Sequence, residues 1–108
     1  LIRHVLLFKF WPDVSQSERE TALEELRNLK DHIPEIKEWS IGVQAFPSEK
    51  SHDFAQVSSF ESLEDLGRFR EDPEHIRVRN TLSRIADWAV VDYNYDESPK
   101  QNSTKEQP

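Results

Sequence analysis

The chain has 108 residues, of which 35% are hydrophobic and 32% charged, enough for one domain with a small core. It has no run of about 18 apolar residues, which excludes a membrane-spanning helix, and its net charge of −7 with no basic stripe argues against a nucleic-acid partner. It has no cysteine, so disulfides, thiol nucleophiles and cysteine-held metals are excluded, and a cytoplasmic location fits.

Ile2 to Trp11 reads as a first strand. Ile2, His4, Leu6, Phe8 and Phe10 share one face; Arg3, Val5, Leu7, Lys9 and Trp11 share the other. Both faces are largely apolar, so the strand is expected to be covered on both sides. The stretch is too short and too alternating for a secretory leader, and Arg3 and Lys9 sit inside it. Ser15 with Glu18 three places on forms a capping box. Ala22, Leu23, Leu26 and Leu29 then repeat at helical spacing, and Pro34 requires a stop near Asp31.

A second strand is expected over Ile36 to Val43, with Trp39, Ile41 and Val43 on one face. A third is expected over Asp53 to Phe60, with Phe54, Gln56, Ser58 and Phe60 on one face. Ser62 caps a short helix whose inner stripe is expected to be Leu63, Leu66 and Phe69. Asp72-Pro73 breaks that helix and starts another, with Asp72 as N-cap and Pro73 in the first turn. This helix is expected to run to about Ile85, with Ile76, Leu82 and Ile85 inward and Arg77, Arg79 and Arg84 mostly in water. A last strand spans Trp88 to Tyr95. Residues 1–96 form the domain, and residues 97–108, which hold nothing to bury, are expected to be a disordered polar tail.

The order β-α-β-β-α-β predicts an α+β, ferredoxin-like fold: an antiparallel four-stranded sheet with helices on one face. The other face would carry Val5, Leu7, Val57, Val91 and Tyr93. A soluble monomer does not leave such a patch in water, so a homodimer through the open sheet face is expected.

Chemistry in this chain rests on histidine. His75, in "EDPEHIRVR", sits in the first turn of the last helix, where the positive helix end keeps an imidazole neutral and able to accept a proton. His4 lies on the strand face that the helices cover. A catalytic reading makes His75 a general base with His4 beside it. A structural reading makes His4 a core-edge residue and His75 a filler of the turn after Pro73. The residues alone leave both open. His52 beside Asp53 is a poor metal pair, since neighbours in a strand point to opposite faces. With only Gly42 and Gly67 in the chain there is no phosphate-cradling loop, and no cofactor is expected.

Four stretches together, "IRHVLLFKF", "SHDFAQVSSFES", "DPEHIRV" and "AVVDYNY", resemble the stress-responsive A/B barrel (Dabb) domain of the dimeric α+β barrel superfamily. The resemblance spans roughly residues 1–95 and implies a barrel formed by two chains. It includes plant stress proteins and a polyketide cyclase that closes a ring by aldol condensation. The resemblance to that cyclase places its general-base histidine at His75 and its first-strand histidine at His4. Its third-strand histidine falls at Phe54, with His52 two places earlier, and its catalytic tyrosine falls at Phe69, which has no hydroxyl.

Two functions follow as expectations. One is a cyclase- or lyase-like activity on an apolar carbonyl or phenolic compound, with His75 as base and His4 orienting. Its pocket would be lined by Leu6, Phe8, Leu26, His52, Phe54, Phe69 and Ile76. The alternative is a stress-protective or ligand-binding dimer without turnover. A haem-degrading monooxygenase on the same barrel ranks last, because the asparagine and tryptophan that such enzymes use are absent from the matching places, near His4 and at Phe69.

Overall fold

The computed structural model describes residues 1–96. Its elements in chain order are β1 (Ile2–Phe10), α1 (Gln16–Asn28), β2 (Glu38–Val43), β3 (Phe54–Phe60), α2 (Leu63–Glu71), α3 (Pro73–Ile85) and β4 (Ala86–Asn94). A single 3-10 turn, Leu29–Asp31, closes α1. The strands form one antiparallel sheet in the order β2-β3-β1-β4, which is the ferredoxin-like fold. The tail expected at 97–108 lies outside the described residues.

The helix starts follow their local signals. Ser15 Oγ accepts the Glu18 N–H at 3.1 Å, and the Glu18 carboxylate accepts the Ser15 N–H at 3.1 Å, so the capping box is closed. The Asp72 carboxylate accepts the Glu74 N–H at 2.9 Å, with Pro73 where no donor is needed. α3 then passes directly into β4 through Ala86, which is already extended.

One sheet face is buried. Ile2, His4, Phe8 and Phe10 of β1 and Phe54, Gln56, Ser58 and Phe60 of β3 lie beneath Ala22, Leu26, Leu29, Leu66, Phe69, Val78 and Leu82. No helix covers the opposite face within the single chain, so the expected cover on both sides of β1 is incomplete there. The register sets Val57, Val5 and Val91 in one cross-strand row and Ala55, Leu7 and Ala89 in the next. Leu7, Val91 and Tyr93 are exposed.

Several boundaries and faces differ from expectation. β2 begins at Glu38 because the Ile36 N–H is used in a turn to the Ile33 carbonyl at 3.3 Å. β3 begins at Phe54 because Asp53 closes the end of β1: its N–H donates to the Phe8 carbonyl and its carboxylate accepts the Phe10 N–H, both at 2.7 Å. His52 therefore precedes the strand and does not share its inner face. Leu63, in the first turn of α2, is 67% exposed, and only Leu66 and Phe69 of that stripe are buried. On α3 the buried pair is Val78 and Leu82, while Ile76 and Ile85 are half-buried. The stripe is phased on His75, Val78 and Leu82, at spacings of three and four, which turns Ile76 to the side.

Candidate functional site

A cavity of about 100 Å³ opens on the helix side of the sheet, between β1 and β4 below and α1 and α3 above. Leu6, Phe8, Leu26, Val78, Leu82, Trp88 and Val90 make its apolar wall, His4 and His75 enter it, and Arg70 and Arg79 stand on the same lining. A space of this order suits one small ring.

The Asp72-Pro73 start of α3 sets His75 in the helix's first turn. Its Nδ1 lies 3.2 Å from the Arg70 carbonyl oxygen. A carbonyl only accepts, so Nδ1 carries the proton and the neutral ring keeps its lone pair on Nε2. Burial pushes the ring's pKa down from 6.5 to about 4, and the charges of Arg79, His4 and Arg70 act in the same direction against the raising effect of the Arg70 carbonyl. His75 is thus neutral at neutral pH. The sequence pointed to the helix end for this, whereas desolvation is the larger cause.

His4 sits mid-strand in β1 and is 5% exposed. The β1–β4 register places it opposite Asp92, and the Asp92 carboxylate accepts the proton of His4 Nδ1. The carboxylate fixes the ring plane and leaves Nε2 as the nitrogen without a hydrogen bond among the described residues. Asp92 was missed by the sequence reading. Its signal was the one acid within "AVVDYNY", which becomes meaningful only once the register with β1 is known. Phe69 lies between the two imidazoles, its ring centroid 5.8 Å from that of His4 and 4.3 Å from that of His75.

Of the expected pocket residues, His4, His75, Leu6, Phe8 and Leu26 line this cavity, and Phe54, Phe69, Ile76 and His52 do not. Phe54 stacks on Phe8 at 4.5 Å and is consumed by packing. Phe69 is 1% exposed among the rings of His4, Trp39, Phe60 and His75. Ile76 lies off the inner stripe, and His52 lies before β3. The reading also missed Val78, Leu82, Trp88 and Val90 on the wall and the approach of Arg70 and Arg79. Among the described residues no three His, Asp or Glu side chains converge, so no metal ligands are put forward.

The model of the Stress responsive A/B Barrel Domain, Dabb, matches residues 2–95. The chain belongs to the Dabb family. An uncharacterised protein of Streptomyces coelicolor is 27% identical to this Dabb chain over 97 residues, covering 88% of this chain and 100% of that one. A dimeric protein of unknown function and ferredoxin-like fold from Bacteroides fragilis superposes with a TM-score of 0.74 at 26% identity, covering 87% of this chain and 95% of that one. The hydroxynitrile lyase from Passiflora edulis superposes with a TM-score of 0.81 at 22% identity, covering 90% of this chain and 94% of that one, and shares the fold. Among the described residues, no helix is long and apolar enough to cross a membrane.

Proposed function

We propose that this Dabb protein is a homodimer whose helix-side cavity performs lyase- or cyclase-type chemistry on a small apolar carbonyl or phenolic compound. The observation that carries the reading is the pair of imidazoles, His4 and His75, on the wall of one largely apolar cavity, each with its Nδ1 proton already committed. His75 Nε2 takes a proton from a hydroxyl or from the carbon next to a carbonyl. His4, its ring held through Nδ1 by Asp92, turns Nε2 to the bound compound and orients it against His75. The Passiflora edulis protein of this fold is a lyase, which is compatible with proton-transfer chemistry on such a scaffold. The dimer reading is supported by the two apolar rows on the sheet face that no helix covers and by the dimeric Bacteroides fragilis neighbour. The cysteine-free composition fits a cytoplasmic setting.

The test is deuterium wash-in at the carbon next to the carbonyl of small aryl ketones in heavy water, followed by NMR. The wild type is expected to accelerate exchange, and His75→Gln to lower the rate about a hundredfold or more. Absence of exchange above buffer, or exchange unaffected by His75→Gln, would sink the catalytic reading. A ligand-binding dimer without turnover would then stand. One observation favours that second reading: with its pKa lowered to about 4, His75 is a weaker base in the empty site than a free imidazole.

A further inference from the structure

We propose that the cavity takes small aryl carboxylates, with the ring lodged in the apolar interior and the carboxylate held at the rim by Arg70 and Arg79. This rests on the reading of the cavity as a ligand site and adds the charge and size of what enters it.

The chain carries 21 acidic against 14 basic residues, and ion pairs engage some of the basic side chains. Arg3 pairs with Glu38, Arg68 with Asp65 and Glu35, and Arg77 with Glu74 and Glu25. Arg70 and Arg79 have no carboxylate partner among the described residues, and both stand on the cavity lining. They come from different elements. Arg70 lies at the end of α2, and Arg79 lies one turn beyond His75 on α3. The charges of both act on His75, which places them within electrostatic reach of the cavity interior. The rim is therefore a local excess of positive charge on a protein of net negative charge.

Guanidinium groups match a carboxylate in geometry, often through paired hydrogen bonds, and are less tightly hydrated than ammonium groups. Behind them the wall is apolar, and the volume of about 100 Å³ limits the buried body to roughly one ring. An anion at the rim would also offset the two charges that oppose protonation of His75. The ligand would thus strengthen the base it meets.

The experiment is calorimetric titration of the full chain with benzoate and phenylacetate, with benzamide and benzyl alcohol as neutral counterparts. The carboxylates are expected to bind at least tenfold more tightly than the neutral compounds. Arg70→Gln and Arg79→Gln are each expected to weaken carboxylate binding roughly fivefold or more, and neutral binding by much less. Arg84→Gln, on α3 but away from this cavity, is the control and should change nothing. Equal binding of neutral and charged probes, no binding of either, or equal weakening by Arg84→Gln overturns the proposal. Carboxylate binding without carbon exchange would uphold it while sinking the catalytic reading. Exchange on neutral ketones with no preference for acids would do the reverse.

Discussion

An imidazole whose Nδ1 proton is held by a backbone carbonyl has one nitrogen left, and at His75 that nitrogen belongs to a ring that burial keeps neutral. This has a consequence for stability that is independent of any activity. In the unfolded chain a histidine takes a proton near pH 6.5, whereas the folded ring waits until about pH 4. Between those values the unfolded state binds the extra proton. The stability associated with His75 is therefore complete above about pH 6.5 and is lost as pH falls from there toward 4. His75→Gln removes this loss. The urea midpoint of the variant is expected to fall less than that of the wild type between pH 7 and pH 4.5. Parallel falls would show that the ring titrates at its ordinary value. His4 differs in kind, since its Nδ1 bond goes to a carboxylate 88 positions away. One imidazole is held by a local turn and the other by the sheet.

At the scale of elements, the caps decide where the site is built. α3 starts at Pro73 because Asp72 caps it, and that start fixes the turn carrying His75. Asp72→Ala is expected to cost about 1 kcal/mol of stability and also to reduce His75-dependent exchange. Ser15→Ala, which breaks the capping box of α1, is expected to cost a similar amount and leave exchange unchanged. If both variants lose exchange equally, the cap at Asp72 has no special hold on the site. These caps were legible because they depend on residues within three places of one another. So were the faces of β1 and β3, which follow from strict alternation. The phase of α3 was not legible. Ile76 reads as an inner residue by composition, yet packing over β1 selects the face of His75, Val78 and Leu82. Phe54 and Phe69 illustrate the same limit: each is apolar and near the cavity, and only the fitted core shows that their rings are spent on other rings. An arginine on a cavity rim looks in sequence like one in open water, so Arg70 and Arg79 carried no signal. Asp92 needed the strand register. The buried amide of Gln56, the Ser58 hydroxyl and the Trp39 indole N–H have no hydrogen-bond partner among the described residues, and nothing in the structure explains them.

For the whole molecule, the order of elements was enough to give the sheet and its two unlike faces, because few topologies arrange β-α-β-β-α-β around one core. The face opposite the helices carries the row Val57, Val5 and Val91 beside Ala55, Leu7 and Ala89. Val91→Lys places a charge in that row without touching the helix-side core. It is expected to convert a dimer into a monomer in sedimentation velocity while keeping the far-ultraviolet dichroism. A wild type that already sediments as a monomer, or a variant that remains dimeric, would remove this face from the assembly.

The sheet also has a temporal order. β1 occupies an inner position with β3 on one edge and β4 on the other, yet it is the first of these strands to leave the ribosome. At about 5–20 residues per second, the 88 positions from His4 to Asp92 take roughly 4 to 18 seconds to synthesise. During that interval IRHVLLFKF is an apolar strand without its β4 partner, and for the first part it has neither neighbour. Tyr95 closes the arrangement by donating its N–H to the Leu1 carbonyl at 3.0 Å, beside the start of β1. The nascent chain thus exposes an apolar strand edge from the synthesis of β1 until β4 arrives.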